Sequence, residues 1–144
     1  MDSRPGKRRW IAAALTLILV IASAAFFMGR GNDDVEMQRG LALFSSGAYA
    51  DAASHFYRYA QANPDEVAPH LYLARIHRHL NRLDLAGPEL DEALRLAPEN
   101  PAVQRELELY VERIQALRQS GQTEASTRIL EQAPAEVRAR LGGR

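Results

Sequence analysis

Two stretches of the chain repeat each other. GAYADAASHFYRYAQANP runs from Gly47 to Pro64, and NRLDLAGPELDEALRLAP runs from Asn81 to Pro98. The two are equal in length, so Gly47 aligns with Asn81 and Pro64 with Pro98. Each opens on a residue that tolerates left-handed backbone and closes on a proline, which cannot continue a helix. Ala52 aligns with Ala86, Phe56 with Leu90 and Ala60 with Leu94. The period of about 34 residues suits a pair of antiparallel helices. Such a unit covers its apolar faces only by stacking on a neighbour, so it constrains the fold more than any other feature of the chain.

From Val35 onward the apolar residues follow helical rather than alternating spacing, and prolines and glycines fall between amphipathic segments. The spacing predicts helices near 34–46, 49–62, 67–80, 84–96, 101–119 and 122–132, with a tail helix near 135–141. Gly47 and Asn81 supply left-handed helix ends, and Pro64 and Pro98 stop helices. Pro69 and Pro101 suit first turns, where the missing amide hydrogen has no helical partner. Pro88 is placed in the first turn of the segment that starts near Asp84.

This body resembles the tetratricopeptide repeat family, in its membrane-anchored bacterial form. Residues 67–100 carry the resemblance best: Leu73, Ala74 and His77 on the first helix, Asn81 at the turn, Ala86, Leu90, Ala93 and Leu94 on the second, and Pro98 at the end. Residues 33–66 follow with Gly40, Gly47, Tyr49, Ala52, Phe56 and Pro64. Tyr59 stands where the family pattern has a small residue, so that helix contact must open or shift. The third unit departs further. Its first helix carries Val103, Leu107, Tyr110, Val111, Ile114 and Leu117 on one face and is about six residues longer than the repeat allows. Its short second helix carries Ala125, Ile129, Leu130 and Ala133. The resemblance implies an all-α fold after one N-terminal transmembrane helix. It is a short α-solenoid of antiparallel helix pairs, with two clear units (33–66 and 67–100) and a degenerate third that caps the array (101–134, then a tail helix at 135–141). The helical domain spans 35–141.

The start of the chain is of another kind. Trp10 to Met28 is an unbroken run without a charge, in which only Thr16 and Ser23 are polar. As a helix it spans roughly 28 Å, close to the thickness of a bilayer's hydrocarbon core. Arg4, Lys7, Arg8 and Arg9 precede it, and Asp33, Asp34 and Glu36 follow. The positive-inside rule makes 1–9 a cytoplasmic basic segment, 10–29 a single transmembrane helix and 30–34 a linker to an extracytoplasmic, periplasmic domain at the inner membrane. A cleaved signal peptide is the competing reading, with a small-residue site at Ala22-Ser23-Ala24, but the apolar run continues past that site to Met28.

Charge and composition exclude several functions. Lys and Arg total 18, as do Asp and Glu, but residues 31–144 hold 13 basic and 17 acidic groups. A mildly acidic body lacks the concentrated basic face that nucleic-acid binding needs. Without cysteine there is no disulfide framework, thiolate nucleophile or cysteine metal site. His77 and His79 point about 200° apart on a helix, and His70 with His77 finds no third ligand, so no metal site is expected. The GRGND segment at 29–33 follows no strand and precedes no lysine, so it is not a phosphate loop. No catalytic residues, cofactor or enzymatic activity are expected.

The resemblance directs attention to the inner, concave face, where the first helix of each unit lines a groove for extended or helical peptides. Carried onto this chain, the groove positions are Met37, Leu41 and Phe44 in the first unit and Leu71, Arg75, Arg78 and His79 in the second. An apolar patch beside arginines suits a peptide with an apolar anchor and a carboxylate, because the guanidinium fork matches carboxylate geometry. The function implied is a non-enzymatic, membrane-anchored scaffold or adaptor for protein–protein interaction in a cell-envelope assembly. Two alternatives stay open: a chaperone-like carrier of polypeptides in the periplasm, for example in cytochrome c maturation, and a cleaved, soluble periplasmic binding module. So few repeats make a small surface, and such an array gains from docking onto something larger or from pairing as a homo-oligomer.

Overall fold

The computed structural model describes residues 16–19 and 34–142. The chain divides into two compact units, 1–35 and 36–144. In the first, residues 16–19 are helical and exposed. The rest of the expected 10–29 span, the 1–9 segment and residues 30–33 of the linker lie outside the described residues. Among the described residues no helix is long and apolar enough to cross a membrane.

The second unit is built of helices. α1 covers 34–45, and then follow α2 (Tyr49–Ala62), α3 (Val67–His79), α4 (Leu83–Leu96), α5 (Pro101–Gln119), α6 (Thr123–Glu131) and α7 (Ala135–Leu141). No strand occurs among the described residues. The helices pair in sequence as α1–α2, α3–α4 and α5–α6. α3 packs on α2, α4 and α5, and α6 returns to touch α4. The inner layer is therefore α1, α3 and α5, and the outer layer is α2, α4 and α6, as expected of a short α-solenoid.

The ends of the inner helices explain the period. Gly47 (φ 80°), Asn81 (φ 57°) and Gly121 (φ 81°) all take the left-handed conformation. At each, two amides fold back on the last turn. Gly47 N–H donates to Phe44 O and Ala48 N–H to Leu43 O; Asn81 and Arg82 donate to Arg78 and His77, and Gly121 and Gln122 to Arg118 and Leu117. This double closure satisfies carbonyls that would otherwise have no helical donor. α5 has 19 residues where α3 has 13, which moves the third such turn six residues beyond the register. Asn100 caps α5 by accepting from the Ala102 amide at 2.9 Å, with Pro101 in the first turn.

Three local expectations are corrected. α4 starts at Leu83, so Pro88 lies inside the helix rather than in its first turn, and it removes one backbone bond there. On α6, Ala125 is exposed and its neighbour Ser126 is fully buried, its hydroxyl donating to Thr123 O at 2.8 Å. The α3 end is also one residue earlier than expected, at His79. Tyr59 is half-buried, whereas Ala93, its counterpart in the next unit, is fully buried.

α3 separates two apolar clusters. Leu73 and Ile76 pack with Ala52, Ala53 and Phe56, and Met37, Leu41, Phe44 and Tyr72 lean on them. Leu71 and Ala74 face the other way, into a larger cluster with Leu83, Leu90, Val103, Leu107, Tyr110 and Val137. Gly87 brings α4 close to the end of α6. A Cβ there would stand 2.6 Å from Gln132 O and 2.8 Å from the Tyr110 hydroxyl. The same hydroxyl donates to Leu83 O at 3.0 Å, and burial raises its pKa well above the usual phenol value.

Candidate functional site

The inner face is assembled from corresponding positions of α1, α3 and α5. On α1, Met37, Leu41 and Phe44 are half-buried. The Phe44 ring meets Tyr49 and Tyr72 edge-on, with centroids 5.4 and 5.2 Å apart. Tyr72 in turn stacks on Phe56 at 4.9 Å and 6°. His79 is exposed at the end of α3, with its ring stacked on Tyr49 at 4.9 Å and 11°. Phe44, Tyr49, Tyr72 and His79 thus form one aromatic cluster joining α1, α2 and α3. Offset and edge-on contacts of this kind fix ring orientation beyond what area burial alone does.

Of the seven residues expected to line a groove, Met37, Leu41, Phe44, Arg75 and Arg78 are half-buried, His79 is exposed and Leu71 is buried. Leu71 is 7% exposed and packs into the larger core cluster, so it offers no surface. Arg75 and Arg78 meet a carboxylate that was not anticipated, Glu106 of α5. Arg78 donates from Nε to Glu106 Oε1 at 2.5 Å and from Nη2 to Oε2 at 3.2 Å. Arg75 Nε stands 3.6 Å from the same Oε2, and its guanidinium lies 5.4 Å from the centroid of the Tyr72 ring. Glu106 is only 3% exposed. A carboxylate removed from water that far requires paired charge, and the two arginines supply it.

Between α3 and α5 lies an open cleft of about 400 Å³, lined by Arg78, His79, Leu109, Glu112, Arg113 and Ala116. Arg113 donates to Asn81 Oδ1 from Nε at 3.2 Å and from Nη2 at 2.9 Å. The residue that ends α3 by its backbone therefore also positions an α5 side chain. Leu109, Glu112 and Arg113 stand one full period after Arg75, Arg78 and His79, and Glu106 stands one period after Tyr72. Extending the register by one unit finds Leu109, Glu112 and Arg113, whereas the burial of Glu106 does not follow from its register mate Tyr72, which is only partly buried.

The remaining histidines tie helices together. His55 on α2 bonds Glu36 through Nδ1 at 2.7 Å, and Arg58 Nε donates to the same carboxylate at 2.9 Å. These bonds, His55 first, hold the Glu36 carboxyl below its ordinary range. His70 on α3 bonds Glu89 on α4 at 2.8 Å. His77 is 4% exposed and shares a 2.8 Å hydrogen bond between Nε2 and the Tyr57 hydroxyl, while its Nδ1 is buried without a partner. Burial, above all, lowers the His77 pKa. Burial followed by the charge of Glu89 raises that of Tyr57.

A tetratricopeptide repeat family model matches residues 43–110, from the end of α1 through the first half of α5. No curated protein matches the chain, and no solved structure does. The matched stretch is similar to tetratricopeptide repeats, and the helical architecture fits a solenoid of paired helices. Repeats of this family are typically non-catalytic modules that bind proteins or peptides, which points to protein–protein interaction.

Proposed function

We propose that the chain is a single-pass, membrane-anchored scaffold or adaptor whose inner helix face holds a segment of a partner protein. The observation that carries this reading is the contrast between the two layers. The outer helices repeat their apolar residues in register, as at Ala52 and Ala86 or Phe56 and Leu90, and all four are buried. The inner positions change from copy to copy: Leu41, Arg75 and Leu109 form one row, and Phe44, Arg78 and Glu112 another. Residues kept in register and buried serve the fold. Surface residues that differ between copies of one scaffold are free to read a partner.

The uncharged run from Trp10 to Met28 and the basic residues before it support an anchor with a cytoplasmic N-terminus and a periplasmic repeat domain at the inner membrane. An anchored domain meets membrane-bound partners at raised effective concentration, which offsets the weak contacts of a small groove. A carrier of unfolded polypeptides would need a broad apolar floor. The inner residues of α3 and α5 are instead mostly charged, which favours a defined partner.

Photo-crosslinking in native membranes tests the reading. A photoreactive residue replaces Leu109 on the inner face or Leu85, which is 42% exposed on α4. Discrete adducts from position 109 and none from 85 are expected. Adducts from 85 alone would refute inner-face binding. The mass of the mature chain tests the anchor, because loss of the first two dozen or so residues means a signal peptide.

A further inference from the structure

The two arginines at the centre of the inner face are not equivalent. Arg78 approaches Glu106 edge-on with two hydrogen bonds, and its side chain is 20% exposed. Withdrawing it would leave a deeply buried carboxylate short of its main partner, which is strongly unfavourable. Arg75 makes no hydrogen bond to Glu106 at 3.6 Å, is 28% exposed, and is held over the Tyr72 ring. That ring is fixed between Phe56 and Phe44. Arg75 is therefore an oriented guanidinium with donors to spare, while Arg78 is committed within the protein.

The charges of the face lead to the same distinction. Arg75, Arg78 and Arg113 face Glu106 and Glu112, so one positive charge is left over. Arg113 and Glu112 share the α3–α5 cleft, and Arg78 is spent on Glu106. Arg75 and Arg78 both pair with Glu106, Arg78 by two hydrogen bonds and Arg75 only by the longer 3.6 Å approach, so the surplus rests mainly on Arg75. Phe44 and the Arg75 guanidinium both contact the Tyr72 ring, at 5.2 and 5.4 Å from its centroid. An extended peptide advances about 3.3 Å per residue, so an apolar anchor at Phe44 and an acid at Arg75 lie within roughly three positions of each other.

Building on the inner-face reading above, we infer that Arg75 is the residue that reads the partner and that Glu106 keeps Arg78 out of recognition. The face then takes a peptide segment with one carboxylate within three residues of an aliphatic or aromatic side chain, and it discriminates against segments with clustered acids. Glu106 acts as a built-in counter-ion that sets how many carboxylates the groove accepts.

The test uses the full-length chain in detergent micelles and a displayed library of random ten-residue peptides. Sequences selected by the unchanged protein should carry a single Asp or Glu within three positions of an apolar residue. Arg75→Ala should abolish the acidic preference and weaken a selected peptide about tenfold or more, the scale of one lost charge-assisted hydrogen bond. Glu106→Gln keeps the side-chain shape, releases the charge of Arg78, and should shift selection to two acids. Circular dichroism verifies that each variant is folded; should Glu106→Gln unfold, Arg75→Ala alone decides. Retention of the single acid by Arg75→Ala, or clustered acids selected by the unchanged chain, overturns the inference while leaving inner-face binding intact. If the unchanged chain selects no peptide, inner-face binding falls and this inference with it.

Discussion

His77 makes the repeat domain sensitive to mild acid, and the size of the effect follows from its surroundings. The ring is 4% exposed between α2, α3 and α4. His77 Nε2 and the Tyr57 hydroxyl share a 2.8 Å hydrogen bond, and the tautomer in which Nε2–H donates to that hydroxyl avoids burying an N–H at the partnerless Nδ1. His77 Nδ1 is then an unprotonated nitrogen with no partner. Protonating it would place a charged ring and an unsatisfied N–H in the seam between the first two helix pairs. Burial opposes the charge most strongly; Glu89 and Asp84 favour it, Arg82 opposes it, and the net shift is downward from 6.5. The folded state therefore binds the proton less readily than the unfolded chain does. Its stability is complete above pH 6.5 and declines as pH falls from there toward the folded pKa.

The loss approaches about 1.4 kcal/mol for each pH unit below 6.5 while the folded ring stays neutral, which bounds it at about 1.4 kcal/mol at pH 5.5. Glu36 and Glu92 have lowered pKa values, so their contribution is present above 4.5 and is lost only at more acid pH. The window from 6.5 to 5.5 thus separates His77 from these carboxylates. The measurement is urea unfolding of the full-length chain in micelles, followed by circular dichroism at a series of pH values. His77→Phe keeps an aromatic ring in the site and removes the titration. The unchanged protein should lose stability more steeply than His77→Phe across that window. Parallel pH profiles for the two proteins would refute the reasoning.

Two further outcomes concern the fold. Gly87→Ala introduces a Cβ 2.6 Å from a backbone carbonyl that cannot rotate away, so α4 and the end of α6 must separate. The expected cost is about 1–3 kcal/mol, read as a lower thermal midpoint, and an unchanged midpoint would show that the α4–α6 approach is not tight. Asn100→Ala removes the side-chain cap of α5 and should cost about 1 kcal/mol, while Asn100→Asp, which keeps an accepting oxygen, should retain most of it.

The parts of this molecule that were legible in its sequence are those governed by local chemistry. Gly47, Asn81, Pro64 and Pro98 each act on the backbone within a turn of themselves, and the helices between them fall within a residue of where their spacing placed them. Pro88 lies inside α4 because, even counted from Asp84, it falls beyond the first-turn positions whose amides lack a helical partner. Gly87 carried no signal, since the carbonyl it approaches belongs to Gln132, far along the chain in a unit that departs from the period.

The candidate site shows the same division more sharply. Aromatic and arginine positions on α1 and α3 could be assigned to the inner face by register, and Leu109, Glu112 and Arg113 follow by the same step. Leu71 shares its register with Met37, yet it is buried in the larger core cluster that includes Val103 and Leu107 of α5. In the sequence, Glu106 is one more acid on a charged helix, and only packing shows that it is buried and bound to Arg78. Two arginines that look alike in sequence become one structural cation and one available cation. What the face can recognise is a property of that long-range pair, so changing Glu106 should alter specificity although its carboxylate is turned inward, away from any partner.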